Sequence, residues 1–179
     1  MLNWIQNIDW SILHWIQANL KCDFLDFLLP KITLLGNAGI IWILAGIALL
    51  ISKKYRKHGI ALLLSLLTGA LIGNICLKNL VARSRPCWLE DVTLLIANPK
   101  DYSFPSGHTL STVISAGLLT SANHKFGMIA IPLAILILFS RLYLYVHFPT
   151  DVFAAILLGI AIDQSAMQVM KKIDSRFAF

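Results

Sequence analysis

Long apolar runs separated by short polar or basic segments dominate the chain from residue 24 onward. The runs cover about 24–36, 39–52, 59–82, 106–122, 126–146 and 149–170. A membrane-crossing helix needs about 20 apolar residues, and the first two runs are shorter. Either their helices extend further, or the turn at 36–39 between them lies below the membrane surface. The pattern predicts an all-α polytopic membrane protein with a bundle of six transmembrane helices.

The N-terminal segment, residues 4–20, has a different pattern. Ile5, Ile8, Ile12 and Ile16 recur at helical spacing, and polar residues occupy positions between them. Such a segment is typical of an amphipathic helix that lies in the membrane interface and does not cross it.

Composition agrees with a membrane protein. Hydrophobic residues make up 58% of the 179 residues and charged residues 13%, which is far from the soluble average. The net charge of +6 does not indicate nucleic-acid binding, because the cations lie at the ends of apolar segments. The three cysteines form no C-x-x-C spacing, so neither a disulfide framework nor a zinc site is expected. The length favours a single domain, 1–179.

The distribution of basic residues predicts the orientation in the membrane. With six spans, the basic segment 53–57, the turn at Lys125 and the tail with Lys171, Lys172 and Arg176 all fall on one side. Because positive loops stay in the cytoplasm, both termini are expected there, with loop 83–104 and His147 on the extracytoplasmic side. Arg83, Arg85 and Lys100 depart from this rule, and we interpret Arg85 as a ligand-binding residue.

The first polar cluster, residues 78–86, ends the third predicted span. Lys78 and Arg85 are seven residues apart and share a face if the helix persists. Pro86 marks the helix end. Two cations at a membrane boundary repel each other unless an anion lies between them, although each could also extend towards lipid headgroups.

The second cluster, residues 105–108, begins the fourth predicted span. Ser106 is the expected N-cap, and the amides of Gly107 and His108 then lie at the positive end of the helix dipole, which binds phosphate readily. An ordinary capped helix start is the alternative, but His108 adds an acid–base group.

The third cluster, residues 140–151, joins the last two predicted spans. Arg141 can bind a phosphate through two parallel hydrogen bonds. Asp151 falls in the first helical turn after Pro149, where a carboxylate can complement the dipole. It can also bond one nitrogen of His147 and leave the other free as a nucleophile.

All three clusters fall at one membrane face. They are therefore expected to form one site that binds a phosphate and cleaves it from an apolar molecule. Lys-x₆-Arg-Pro, Pro-Ser-Gly-His and Ser-Arg-x₅-His-x₃-Asp, in this order, resemble the three motifs of the type 2 phosphatidic acid phosphatase superfamily at every motif position. That superfamily also contains bacterial acid phosphatases and vanadium haloperoxidases.

The resemblance implies a role for each motif residue. His147 is the nucleophile that forms a phosphohistidine, Asp151 orients it, and His108 protonates the leaving oxygen and then activates water. The remaining residues hold the phosphoryl oxygens and the charge that develops on them: Lys78, Arg85, Ser106, Gly107 and Arg141. No metal or other cofactor is expected.

The expected function is a bacterial membrane lipid phosphate or pyrophosphate phosphatase. Candidate substrates are phosphatidylglycerophosphate, phosphatidate and undecaprenyl pyrophosphate, and membrane lipids surround the protein. A lipid phosphotransferase with a non-water acceptor, a transporter with a vestigial site and a haloperoxidase are alternatives, the last disfavoured because those enzymes are longer and soluble. Asp163 lies inside the last predicted span and has either a functional or a structural role. Loop 87–104 either forms part of a lipid entrance or only packs against the helices.

Overall fold

A computed structural model describes the backbone of residues 3–177 and the side chains of residues 3–173, within the predicted domain 1–179. All regular elements in this part of the chain are helical. They are α1 (Asn3–Leu20), α2 (Asp23–Leu35), a 3₁₀ turn (Asn37–Gly39), α3 (Ile40–Ile51), α4 (Arg56–Gly69), a π-helical segment (Ala70–Leu77), α5 (Lys78–Val81), α6 (Pro86–Leu89), α7 (Gly107–Ala122), α8 (His124–Tyr143) and α9 (Pro149–Phe177).

Three stretches are long and apolar enough to cross a membrane: Arg56–Leu89, His124–Tyr143 and Pro149–Ile173. The pair Asp23–Leu35 and Asn37–Ile51, bent by 40°, makes a fourth if it crosses as one span. Helix α7, with 16 residues, is shorter than the usual spanning length. A helical membrane protein is thus confirmed, whereas six separate spans are not.

The first two apolar runs do not form longer helices. Helices α2 and α3 have 13 and 12 residues, and the chain between them leaves helical geometry at Ala38 (φ 50°) and Gly39 (φ 67°). A Cβ added to Gly36 would lie 2.9 Å from the His108 ring. The bend therefore lies inside the bundle, next to a predicted site residue, and glycine permits this close approach.

Helix α7 lies at the centre of the bundle and packs against α4, α8 and α9. Leu110, Ile114 and Leu118 on α7 are buried in the core. Apolar side chains on the outer helices, such as Leu64, Ile129 and Phe153, are exposed, as expected for surfaces that face lipid. The central position of α7 fixes its N-terminus, and with it the second motif, relative to the surrounding helices.

Helix α1 packs across the ends of α8 and α9 and buries Asp9, Leu13 and Ile16. At its other end, Gln17 Nε2 donates a hydrogen bond of 2.8 Å to the carbonyl of Tyr143. The predicted N-terminal amphipathic helix therefore forms, and it lies at the end of the bundle where α8 ends and α9 begins. Its place in the membrane interface stays a prediction.

The bent pair α2–α3 connects the two ends of the bundle. Asp26 at the start of α2 accepts a 2.6 Å hydrogen bond from the hydroxyl of Tyr143. After α3, the hydroxyl of Tyr55 accepts a 2.9 Å bond from Asn123, in the turn between α7 and α8. The pair thus runs from the end that holds α1 to the opposite end.

Candidate active site

A cavity of about 870 Å³ opens between the α2–α3 bend, α4, the loop after α6 and the start of α7. Side chains or backbone from all three motifs line it, namely Lys78, Arg85, Gly107, His108, Arg141 and His147. Ser106 and Asp151 are fully buried and do not line it. The fold therefore brings the predicted site residues together at one end of the bundle.

Lys78 and Arg85 reach the cavity from different backbone segments. Lys78 follows the π-helical segment Ala70–Leu77, a wide helical geometry that is frequent at functional sites. The helix then ends, because Ala82 is left-handed (φ 46°) and Arg85 is extended before Pro86, as proline requires. The helix does not persist from Lys78 to Arg85, so they do not share one helical face.

Asp101, which no motif marks, supplies the anion between these two cations. Its carboxylate pairs with Lys78 Nζ and, at 2.8 Å, with Arg85 Nη2, while its carbonyl accepts a 2.7 Å bond from Arg85 Nε. Partial burial raises the pKa of Asp101, but Lys78 and Arg85 outweigh this and lower the pKa to about 2. An ionised carboxylate thus occupies a place suited to a phosphoryl oxygen.

The start of α7 has the predicted cap. Ser106 Oγ accepts hydrogen bonds from Thr109 N at 3.4 Å and Thr109 Oγ1 at 3.0 Å. A Cβ on Gly107 would lie 2.6 Å from Asn74 Oδ1, so a larger residue would displace a side chain of the cavity wall. Gly107 therefore brings backbone to the cavity at the positive end of the α7 dipole.

His108 contacts the α2–α3 bend. Its Nε2 lies 2.9 Å from Asn37 Oδ1, and because an amide oxygen only accepts, Nε2 carries the proton in this arrangement. Donation to a leaving group requires that Nδ1 be protonated as well, so that the ring is neutral after it gives up one proton. From the sequence, Asn37 was assigned only to a turn. Its position as a polar residue within an apolar stretch could have indicated a role in the site.

Arg141 is buried near the end of α8. Its Nη1 donates a 2.5 Å hydrogen bond to Thr33 Oγ1, and its Nε has no partner among the described residues. A guanidinium with an unused donor beside a cavity is suited to an anionic ligand.

His147 is buried, and its two ring nitrogens have different neighbours. Nε2 lies 3.1 Å from Arg85 Nη1, and because guanidinium groups only donate, Nε2 accepts and Nδ1 carries the proton. Burial, followed by the charges of Arg85 and Arg141, lowers the pKa of His147 well below its usual value. The ring is therefore neutral, with a nitrogen lone pair at the cavity, as a nucleophile requires.

Asp151 supports His147 together with Ser103, which was not predicted. Asp151 Oδ2 is 3.7 Å from His147 Nδ1, too far for a hydrogen bond. Ser103 Oγ lies 3.4 Å from Nδ1 and donates a 2.5 Å bond to Oδ2. The Phe148 amide also donates to Oδ2 at 2.9 Å. The serine hydroxyl thus links the imidazole to the carboxylate.

The other oxygen of Asp151, Oδ1, accepts a 2.6 Å hydrogen bond from Arg83 Nη1. From the sequence, Arg83 was only an exception to the loop-charge rule. Within the described residues, no group of three or more His, Cys, Asp or Glu side chains is placed to hold a metal ion.

Comparisons with known proteins agree with the motifs. The family model of the PAP2 superfamily matches residues 58–174. An undecaprenyl-diphosphatase of Sulfolobus acidocaldarius is 38% identical over 134 residues, which are 72% of this chain and 63% of that protein. The chain thus spans less than two thirds of this relative.

Two solved structures are also similar. The transmembrane PAP2-type phosphatidylglycerolphosphate phosphatase of Bacillus subtilis has a TM-score of 0.80 and 27% identity, and the match covers 97% of this chain and 89% of that one. LpxE of Aquifex aeolicus has a TM-score of 0.78 and 29% identity, with 90% and 95% covered. The predicted resemblance is confirmed: the chain belongs to the PAP2 superfamily, the type 2 phosphatidic acid phosphatases.

Proposed function

We propose that the protein removes a terminal phosphate from a membrane lipid phosphate or pyrophosphate through a phosphohistidine intermediate. The observation that carries the proposal is the setting of His147, whose unprotonated Nε2 lies at a cavity that also holds Lys78, Arg85 and Arg141. Cations around a neutral nucleophile favour attack on a phosphate, because they neutralise charge on its oxygens.

The reaction has two steps. His147 Nε2 attacks phosphorus and the bond from phosphorus to the lipid oxygen breaks. His108, protonated on both ring nitrogens when the anionic phosphate is bound, gives one proton to that oxygen and becomes neutral. His108 then takes a proton from water, which attacks phosphorus and breaks the bond to Nε2, so that phosphate leaves and both histidines return to their first states. Asp151 balances the positive charge on the ring of His147 during the first step.

The walls of the cavity support an amphiphilic substrate. Away from the cations, the lining is apolar and comes from α2, α3, α4 and α7, with Leu34, Ile43, Leu63, Leu66, Leu67 and Ile114. Leu34, Ile43 and Leu67 are also exposed on the outer surface, where lipid lies. A phosphate headgroup can therefore bind the cations while its chain follows the apolar wall into the membrane.

The contacts at the bundle ends support a revised topology with five crossings: the bent pair α2–α3, the stretch from α4 through the π-helical segment to α5, α7, α8 and α9. The basic segment 53–57 and Lys125 share the end opposite the site, so the loop-charge rule makes that end cytoplasmic. The site and α1 are then extracytoplasmic and the C-terminal end of α9 is cytoplasmic. This replaces the expectation of two cytoplasmic termini with an extracytoplasmic N-terminal helix.

Phosphate release from lipid phosphates in detergent tests the proposal. The panel is phosphatidylglycerophosphate, phosphatidate and undecaprenyl pyrophosphate, with His147→Ala as the inactive control. Release should continue in excess EDTA, because side-chain cations neutralise the phosphate. Loss of activity on chelation that magnesium restores would contradict the mechanism, and consumption of substrate without phosphate release would identify a phosphotransferase.

A further inference from the structure

Helix α1 carries a buried carboxylate that its amphipathic pattern does not explain. Asp9 is 0% exposed and lies against Thr150 at the start of α9. Burying a charged group costs free energy unless it is paired and hydrogen-bonded. The position of Asp9 therefore calls for a partner that uses its charge.

That partner is Arg83, which bridges two carboxylates. Its Nη2 donates to Asp9 Oδ2 and its Nη1 to Asp151 Oδ1, both at 2.6 Å. Arg83 is 8% exposed, and its guanidinium lies 4.0 Å from the centre of the Phe148 ring. A planar guanidinium with donors fixed in a fork holds both carboxylates in one defined geometry.

Asp9 also anchors the backbone that carries Asp151. Its Oδ1 accepts from Thr150 N at 2.9 Å and its Oδ2 from Thr150 Oγ1 at 2.6 Å, and Thr150 Oγ1 in turn accepts a 2.8 Å bond from Arg83. The first turn of α9 and the side chain of Asp151 are therefore both fixed from α1.

We propose that Asp9 and Arg83 are positioning residues for Asp151, so that the N-terminal helix supplies part of the support for the nucleophile. With Oδ1 of Asp151 held by Arg83, Oδ2 stays directed at Ser103 and His147. Rotation of the carboxylate would break this link to the imidazole. The inference rests on the proposed function, because it assigns the support of the residue that attacks phosphorus.

Attachment of α1 does not depend on this network alone, which makes the two roles separable. His14 Nε2 contacts the Glu90 carboxylate at 3.1 Å, on the exposed side of the helix, and Gln17 bonds the Tyr143 carbonyl. His14→Ala removes one α1 contact without touching Asp9 or Arg83 and is the matched control.

The experiment measures single-turnover phosphoenzyme formation and steady-state KM with a lipid phosphate on full-length protein in detergent. Asp9→Asn keeps the side-chain shape, Arg83→Met removes the charge, and Arg83→Lys restores it without the fork. Rates are taken on the monodisperse fraction, with melting temperatures recorded alongside. Hydrogen bonds to charged groups of this kind correspond to about 10- to 100-fold in rate.

Asp9→Asn and Arg83→Met should each slow phosphoenzyme formation by that factor with KM unchanged, and Arg83→Lys should recover part of the loss. The double variant should be no slower than Arg83→Met alone, since both act through one network. His14→Ala should keep the wild-type rate.

Wild-type rates in Asp9→Asn and Arg83→Met, with only lower melting temperatures, would overturn the positioning role. A double variant whose loss in rate is the product of the two single losses would overturn it as well. A wild-type protein that releases no phosphate from any lipid would instead overturn the proposed function, and this inference with it.

Discussion

Asp101→Asn should strengthen the binding of phosphate-like anions. In the structure the Asp101 carboxylate pairs with both Lys78 and Arg85, and a phosphoryl group that binds these cations must displace it. Asparagine keeps the shape but removes the competing charge. Vanadate and phosphate are therefore expected to bind more tightly to the variant, and the KM for a lipid phosphate should fall.

The magnitude follows from the exposure of the two ion pairs. The Asp101 side chain is 58% exposed, so solvent screens each pair, and such pairs are worth about 0.2–1 kcal/mol. Two pairs together give about 0.4–2 kcal/mol, which corresponds to about 2- to 30-fold in the inhibition constant. Because the pKa of Asp101 is lowered to about 2, its charge persists at every pH above about 4, and the difference should not change between neutral and mildly acidic pH.

The assay is vanadate inhibition of lipid phosphate hydrolysis in detergent at two salt concentrations. Asp91→Asn removes an exposed acid from the same loop that does not line the cavity and is the control, with an expected inhibition constant equal to that of the wild type. An Asp101→Asn variant that binds vanadate more weakly would refute the reasoning. It would show that the carboxylate positions the two cations and does not compete with the ligand.

Three further predictions concern His147 and the topology. Ser103→Ala should lower kcat by about 10- to 100-fold through loss of the hydrogen bond that links the Asp151 carboxylate to the imidazole, and an unchanged kcat would exclude that link. Since the pKa of His147 is lowered, its neutral form persists as pH falls through 6.5, so attack on an ester with an activated leaving group should show no titration there. A cysteine at Asn19 should react with an impermeant reagent from outside the cell, and one at Tyr55 only after the membrane is opened; the reverse pattern would contradict the topology.

The motifs made the site predictable because their residue types have few other uses in an apolar chain. Lys78, His108, Arg141 and His147 reach one cavity, as expected from three polar clusters at one membrane face. Helical periodicity likewise predicted α1 and the long helices. The bend at 36–39 was harder, because two 12–13-residue helices and one broken span have the same apolar pattern.

The supporting residues could not be found in the sequence. Ser103 and Asp101 belong to a loop of mixed composition, and their roles depend on contacts with residues far along the chain. Asp9 is polar in an amphipathic helix, where solvent exposure is the usual outcome. Only the packing of α1 over the start of α9 shows that Asp9 and Arg83 face each other.

The central claim, nucleophilic attack by His147, is tested most directly by trapping the phosphoenzyme. With p-nitrophenyl phosphate, whose leaving group needs no proton, His108→Ala keeps the first step but loses water activation, which is typically worth about 10²–10⁴-fold, so a labelled phosphoryl group should accumulate on the protein. The label should be acid-labile and base-stable, as expected of a phosphohistidine, and should map to the peptide that contains His147. His147→Ala should carry none. The same label on His147→Ala would show that another residue attacks phosphorus and would contradict the account.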